Sequence, residues 1–179
     1  MHRDDEIRPA RPEDLGELAR IEQSAAARFR AIGIRGEFLD DFTPPDDLAE
    51  GQAHGRLWVA VHRGKCVGFA LLSILHDGEP WLDEIDVHPD HGRRGLGGAL
   101  VKRAIAWARY TGARSISLST FGDVAWNGPF YSHLGFRELA PDLQSPAQQE
   151  IVEEERQRGL PMERRVVMRL DLTTDAAQP

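Results

Sequence analysis

A strand-like run from Trp81 to Val87 leads into a loop with glycines at 92, 95, 97 and 98 and arginines at 93 and 94. The loop then opens into a helical repeat of apolar residues at Leu96, Leu100, Ala104, Ile105 and Ala108. A second strand-like segment, Ser115-Ile-Ser-Leu-Ser119, alternates cleanly after it. Strand, glycine loop, helix, strand is a crossover unit. It needs two parallel strands in one sheet and so commits the chain to an α/β architecture. The loop also narrows the ligand: consecutive backbone N–H groups entering a helix make an anion site, and two adjacent arginines add charge, so phosphate is the expected chemistry.

The flanking segments fill out the sheet. Arg11-Pro12-Glu13-Asp14 opens a helix, with Leu15, Leu18, Ala19, Ala26 and Phe29 read as its apolar face. Leu57 to Val61 and Cys66 to Leu72 read as strands joined by a tight turn through His62-Arg-Gly-Lys65. Ser145 to Arg158 predicts another helix: Ser145 and Gln148 have capping-box spacing, Pro146 suits the first turn, and Gly159 and Pro161 stop it. Val166 to Leu170 closes the sheet. The expected fold is a mixed α/β domain over residues 1–179, a central sheet of about six to seven strands flanked by helices, with 1–5 and 173–179 frayed.

Composition removes several function classes. A formal net charge of −7, with no basic stripe beyond Arg93 and Arg94, argues against a nucleic-acid partner. Cys66 is the single cysteine, which rules out an internal disulfide, and its apolar strand predicts a buried thiol. No apolar run reaches the ~18 residues of a membrane span, so a cytoplasmic protein without a membrane partner is expected. His88, His91 and His133 form a metal set only on paper, and no metal is expected. The charged stretch Glu153 to Arg158 reads as a solvated helix face. Two familiar phosphate loops also fail: Gly92-x-x-x-x-Gly97 is followed by Gly98 and Ala99 instead of Lys-Ser/Thr, and a dinucleotide fingerprint starting at Gly95 meets Leu100 where a small residue belongs.

Two motifs carry a resemblance to a known family. "DVHPDHGRRGLGGALV" is similar to the acyl-coenzyme A loop of the GNAT superfamily of acetyl-CoA-dependent N-acetyltransferases, and "WNGPFYSHLGF" resembles that family's later helix-to-strand segment. The resemblance is strongest from Leu57 to Leu139. One position departs: the family prefers Gln or Arg where Gly92 stands, which leaves Arg93 and Arg94 to supply side-chain charge. The resemblance implies acetyl-CoA as acyl donor and no metal. Amides of Arg93, Arg94, Gly95, Leu96, Gly97 and Gly98 would hold its pyrophosphate, and the backbone around Ile85 and Val87 its pantetheine arm. The Val87 amide would polarise the thioester carbonyl, with Asn127 contacting the arm and Phe130 packing beside it.

The resemblance also implies a general acid at Tyr131, whose phenol with an ordinary pKa near ~10 can protonate a thiolate. An attacking ammonium must lose a proton, and Glu84, three residues before Val87, is the expected base, with Asp83 and Asp86 as neighbouring alternatives. Alternation puts Glu84 and Asp86 on one face of the strand and Asp83 with Ile85 and Val87 on the other. In the family the acceptor pocket comes from the segments corresponding to Phe29–Phe42 and Phe121–Trp126. Phe29, Phe42 and Trp126 are therefore candidate walls, and Asp40 and Asp41 suit a cationic amine. The expected acceptor is a small-molecule primary amine attacking within a ternary complex. Alternatives are a protein or peptide N-terminus, or a non-catalytic acyl-CoA sensor. Family members are often homodimers.

Overall fold

The computed structural model describes residues 4–172. Its elements are β1 (Asp5–Pro9), α1 (Leu15–Ala31), α2 (Pro45–Ala53), β2 (Leu57–His62), β3 (Lys65–Ile74), β4 (Pro80–Val87), α3 (Leu96–Tyr110), β5 (Ser115–Phe121), α4 (Gly128–His133), β6 (Arg137–Glu138), α5 (Pro146–Gln157) and β7 (Arg165–Asp171). The seven strands form one sheet in the order β1-β2-β3-β4-β5-β7-β6. β4 and β5 run parallel, with Trp81 opposite Ser117, as the crossover unit requires. β1–β2, β2–β3, β5–β7 and β6–β7 are antiparallel. The chain gathers into two compact units: residues up to Ser73 with Asp83–Ala104, and Ile74–Leu82 with the chain from Ile105 onward.

In the first unit, α1 buries Leu18 and packs Leu15 on the core as expected, but its buried stripe runs on through Ile21 and Ala25 instead of Ala19. Leu18, Ile21, Glu22 and Ala25 are buried, whereas Ala19 is exposed. Leu18 and Ile21 join Leu48, Leu57, Val59, Phe69 and Leu71 in one apolar core. The register is set by Ile21, and it carries a carboxylate, Glu22, into the buried stripe. The β2–β3 turn has Arg63 and Gly64 at φ 49° and 77°, the two positive angles of a hairpin turn matched to strand twist. Two elements carry no strong sequence signal. α2 starts on Pro45 and buries only Leu48 and Gly51. β1 pairs Asp5 with His62, and the His62 ring bonds the Asp5 carboxylate at 2.8 Å. Asp5, expected to fray, is therefore the ordered first residue of a strand. The expected frayed residues 1–3 and 173–179 lie outside the described residues.

In the second unit, the serine face of β5 is covered, not solvated. Ser117 is fully buried. Ser115 and Ser117 donate to Glu79 at 2.6 and 2.9 Å, and Gln148 of α5 donates to Glu79 and to Ser117 at 2.6 and 3.1 Å. Glu155, read from sequence as part of a solvated face, is buried. It accepts from Ser119 at 2.8 Å and pairs with Arg165 at 2.5 Å. α5 begins on the expected box, Ser145 and Gln148 exchanging side-chain and backbone hydrogen bonds. Ala147, Ile151 and Val152 pack with Leu75, Trp81 and Val167.

Candidate active site

The loop before α3 has the backbone of an anion cradle. After a short helical turn at Pro89–His91, Gly92 is extended at φ −63°, Arg93 enters the left-handed region at φ 58° and Gly95 follows at φ 80°. Left-handed residues interspersed with ordinary ones turn successive N–H groups toward a common side, the nest geometry that binds phosphates. A non-glycine residue such as Arg93 adopts this conformation at a cost, which the neighbouring structure must offset. A side chain on Gly95 or Gly98 would meet open space. Leu96 is buried and can offer a ligand only its backbone. Arg93 is exposed, and Arg94 is partly buried with Nη1 donating to His91 Nδ1 at 3.2 Å.

β4 enters this loop under tight packing. A side chain at Gly68 would stand 2.7 Å from the Asp86 carbonyl and 3.1 Å from Val87, so β3 needs glycine there to lie flush against Asp86–Val87. The Ile85 amide donates to Glu84 Oε1 at 3.1 Å, which fixes the Glu84 carboxylate beside the strand. Glu84 and Asp86 share a face as alternation demands, and that face meets α1. Burial, followed by the negative charges of Glu84 and Glu22, raises the Asp86 carboxyl well above the usual carboxylate range, against the pull of Arg28. Burial likewise makes Arg28 a weaker base than an ordinary arginine. Glu22 accepts from the Thr43 amide and hydroxyl, each at 3.0 Å, and so ties the segment beyond Phe42 back to α1. Arg30 does the same for the stretch before Phe42, donating to Asp40 at 2.6 Å and to the Leu39 carbonyl at 3.2 Å. Phe29 is partly buried and Phe42 exposed. Asp83 is exposed as a residue, but its carboxyl is crowded near Ser73, Asp47 and Arg56: burial pushes it up to about 7, against hydrogen bonds from Ser73.

The remaining candidates, Trp126, Asn127, Phe130 and Tyr131, belong to the second unit. Asn127 precedes α4 with an irregular backbone, φ −120° and ψ −106°. Its Nδ2 donates to Thr120 of β5 at 2.7 Å, while its Oδ1 is buried with no hydrogen-bond partner. A side chain on Gly128 would collide with the Gly122 backbone, so glycine is required for this loop to close. Tyr131 is 5% exposed, its ring edge-on to Phe130 and Phe136 at 5.1 and 5.7 Å. Trp126 is partly exposed. Among the described residues, no set of His, Cys, Asp and Glu could hold a metal ion, and no helix is long and apolar enough to cross a membrane. Burial raises the Cys66 thiol to about 11, leaving it inert.

Sequence reasoning missed Glu22 and Arg28 on the acidic face, His62 beside His91, and Thr120 beneath Asn127. Glu22 had left a signal, a carboxylate within the helical spacing of Leu18, Ile21 and Ala25.

A turn with left-handed residues at the head of α3, entered from a strand that carries carboxylates, is the geometry of a site for an anionic carrier. Residues 18–136 match the acetyltransferase (GNAT) family, and the chain belongs to that family. A mycothiol acetyltransferase from Mycolicibacterium vanbaalenii is 39% identical over 79 residues, a match spanning 39% of this chain and 26% of the relative. This chain thus covers about a quarter of that relative's length. The PaiA N-acetyltransferase of Thermoplasma acidophilum, solved with coenzyme A, superposes with a TM-score of 0.71 at 15% identity, covering 93% of this chain and 98% of that one. The ribosomal-protein-S18-alanine N-acetyltransferase of Escherichia coli gives 0.65 at 22% identity, covering 98% of each chain. These likenesses establish the shared fold.

Proposed function

We propose that the chain transfers an acetyl group from acetyl-CoA to the nitrogen of a small primary amine, with both substrates bound together. The residues fit the donor on two counts. The left-handed turns at Arg93 and Gly95 present N–H groups to a pyrophosphate, reinforced by the Arg94 guanidinium and the positive end of α3. The buried, unpartnered Asn127 Oδ1 needs an N–H donor, since leaving a buried acceptor unsatisfied costs about 1–3 kcal/mol, and the amides of a pantetheine arm supply one. Acetyl-CoA, when bound, supplies an activated acyl group as a thioester.

The protein's own residues do the rest. The Val87 amide polarises the acyl carbonyl, the kind of donor worth a few kcal/mol in a transition state. Glu84 accepts the proton of the incoming ammonium at its carboxylate, and the Tyr131 hydroxyl donates one to the departing sulfur. Phe29 and Phe42 of the first unit are the proposed walls for the acceptor. The observation that carries the nitrogen acceptor is the crowding of Asp86 with Glu84 and Glu22. An amine arriving as a cation brings the positive charge that this group of carboxylates is short of.

A peptide N-terminus is the second reading, favoured by the exposure of Phe42 and of the segment around it. Free-thiol release from acetyl-CoA, measured over a panel of small amines and of peptides with free N-termini, tests the assignment. Release with small amines supports it, release with peptides alone moves the function to the second reading, and binding of acetyl-CoA without release for any acceptor leaves a sensor.

A further inference from the structure

The first unit holds a cluster of histidines that the proposed chemistry does not use. His62 closes β2, His88 follows β4 and His91 ends the turn before the anion loop. The His91 ring lies 5.1 Å from His62 and 6.1 Å from His88, centroid to centroid. The Arg94 guanidinium bonds His91 Nδ1 at 3.2 Å. Arginine has no acceptor, so His91 Nδ1 must be unprotonated, and the ring is neutral with its hydrogen on Nε2. The surroundings favour that state. Burial makes His91 harder to protonate, the positive charge of Arg94 and the neighbouring His62 and His88 add to this, and only Asp90 opposes it. His62 is held by Asp5, the His88 ring accepts from the Asp90 amide at 3.3 Å, and from α1 Arg28 adds its charge to the field of Arg93.

We infer that binding of the donor's pyrophosphate is coupled to uptake of a proton by this cluster, chiefly at His91, so that donor affinity strengthens on acidification. The inference rests on the loop being the pyrophosphate site. In the free protein the arginine and the rings are cationic or potentially cationic neighbours, and His91 stays neutral to accept from Arg94. A pyrophosphate at the loop reverses the sign of the local field and draws the Arg94 guanidinium toward its oxygens. Nδ1 of His91 then loses its donor and takes a proton from solvent. Linkage makes the effect reciprocal: whatever factor the ligand adds to proton affinity, the proton adds to ligand affinity. Histidine is the side chain for which this falls within ordinary working pH.

Dephospho-coenzyme A is the probe, because it keeps the pyrophosphate but lacks the 3′-phosphate that would itself titrate. Calorimetric titration near neutral pH, in two buffers of different ionisation enthalpy, counts protons taken up. The parent protein should take up a net fraction of a proton and bind several-fold more tightly at about pH 6 than at about pH 8, up to about tenfold for one unit of ligand-induced shift. His91→Asn can still accept from Arg94 but cannot titrate, and it should lose most of that uptake. If it melts early, His88→Asn provides the same comparison for the rest of the cluster. Equal affinity at both pH values with buffer-independent heat in the parent, or full proton uptake in folded His91→Asn, overturns the coupling. Gly97→Asp separates this from the loop assignment: undiminished binding there removes the pyrophosphate reading itself, whereas binding lost there but proton-neutral in the parent removes only the coupling.

Discussion

Glu79 and Asp86 are carboxylates on or beside the same strand, and their surroundings are opposites. Glu79 receives two serine hydroxyls and the Gln148 amide, a buried network that is complete. Asp86 is buried near two other carboxylates and one weakened arginine, and burial first, then the carboxylates, raises its proton affinity. A satisfied network fixes structure, whereas one left electrostatically short retains free energy that a ligand can release. The first kind of carboxylate fastens α5 to β5, and the second stands where the chemistry is proposed.

If the contrast holds, substitutions in the two regions should separate stability from turnover. The largest loss of stability is expected at Arg165→Met, which strands Glu155 without its cation in a buried setting. Removing one partner of such a pair costs about 3–5 kcal/mol, read as a fall in denaturant midpoint with kcat preserved in the folded fraction. Gln148→Ala should cost less, about 1–3 kcal/mol, because Glu79 keeps its two serine donors. Asp86→Asn should act in the opposite sense. A carboxyl whose folded pKa lies above its unfolded one binds protons more tightly in the native state. The fold therefore loses stability as pH rises from the unfolded carboxylate range through the raised value. Replacing it should leave the melting temperature unchanged in acid, raise it by a few degrees near neutral pH and flatten the curve between them. Asp14 is the internal control. Its bond to Arg8 at 2.6 Å and then the hydrogen bond from the Arg11 amide lower its pKa against the effect of burial, so its contribution is present above the unfolded pKa and fades as pH falls.

The same contrast explains what could be read in advance. The crossover unit, the helix of α3 and the capped start of α5 were legible because each rests on local rules: period, glycine placement and a box of two side chains. β1 and α2 were not, because their stability comes from pairing with β2 and from packing of Leu48 and Gly51, neither of which leaves a periodic trace. The anion loop could be read from its glycines, but not the left-handed Arg93 at its centre. Alternation located β5 correctly but said nothing of what covers its serines, because Gln148 and Glu155 reach them from a helix some thirty residues on. Glu84 as the base rests on its place before Val87 and stays a proposal. The charges around Asp86 left no local trace, because Glu22 and Arg28 lie some sixty residues away on α1 and only the tertiary fold brings them to it.

The pH–rate profile of Glu84→Gln, at saturating acetyl-CoA with an amine the parent acetylates, tests the central claim most directly. The substitution keeps the side chain's shape and removes its capacity to take a proton. Turnover near neutral pH should fall by roughly the 10²–10⁴-fold of a lost general base and recover in part as pH rises and free amine accumulates, with donor affinity little changed. A folded variant that keeps the parental profile would contradict the assignment of Glu84 as the base.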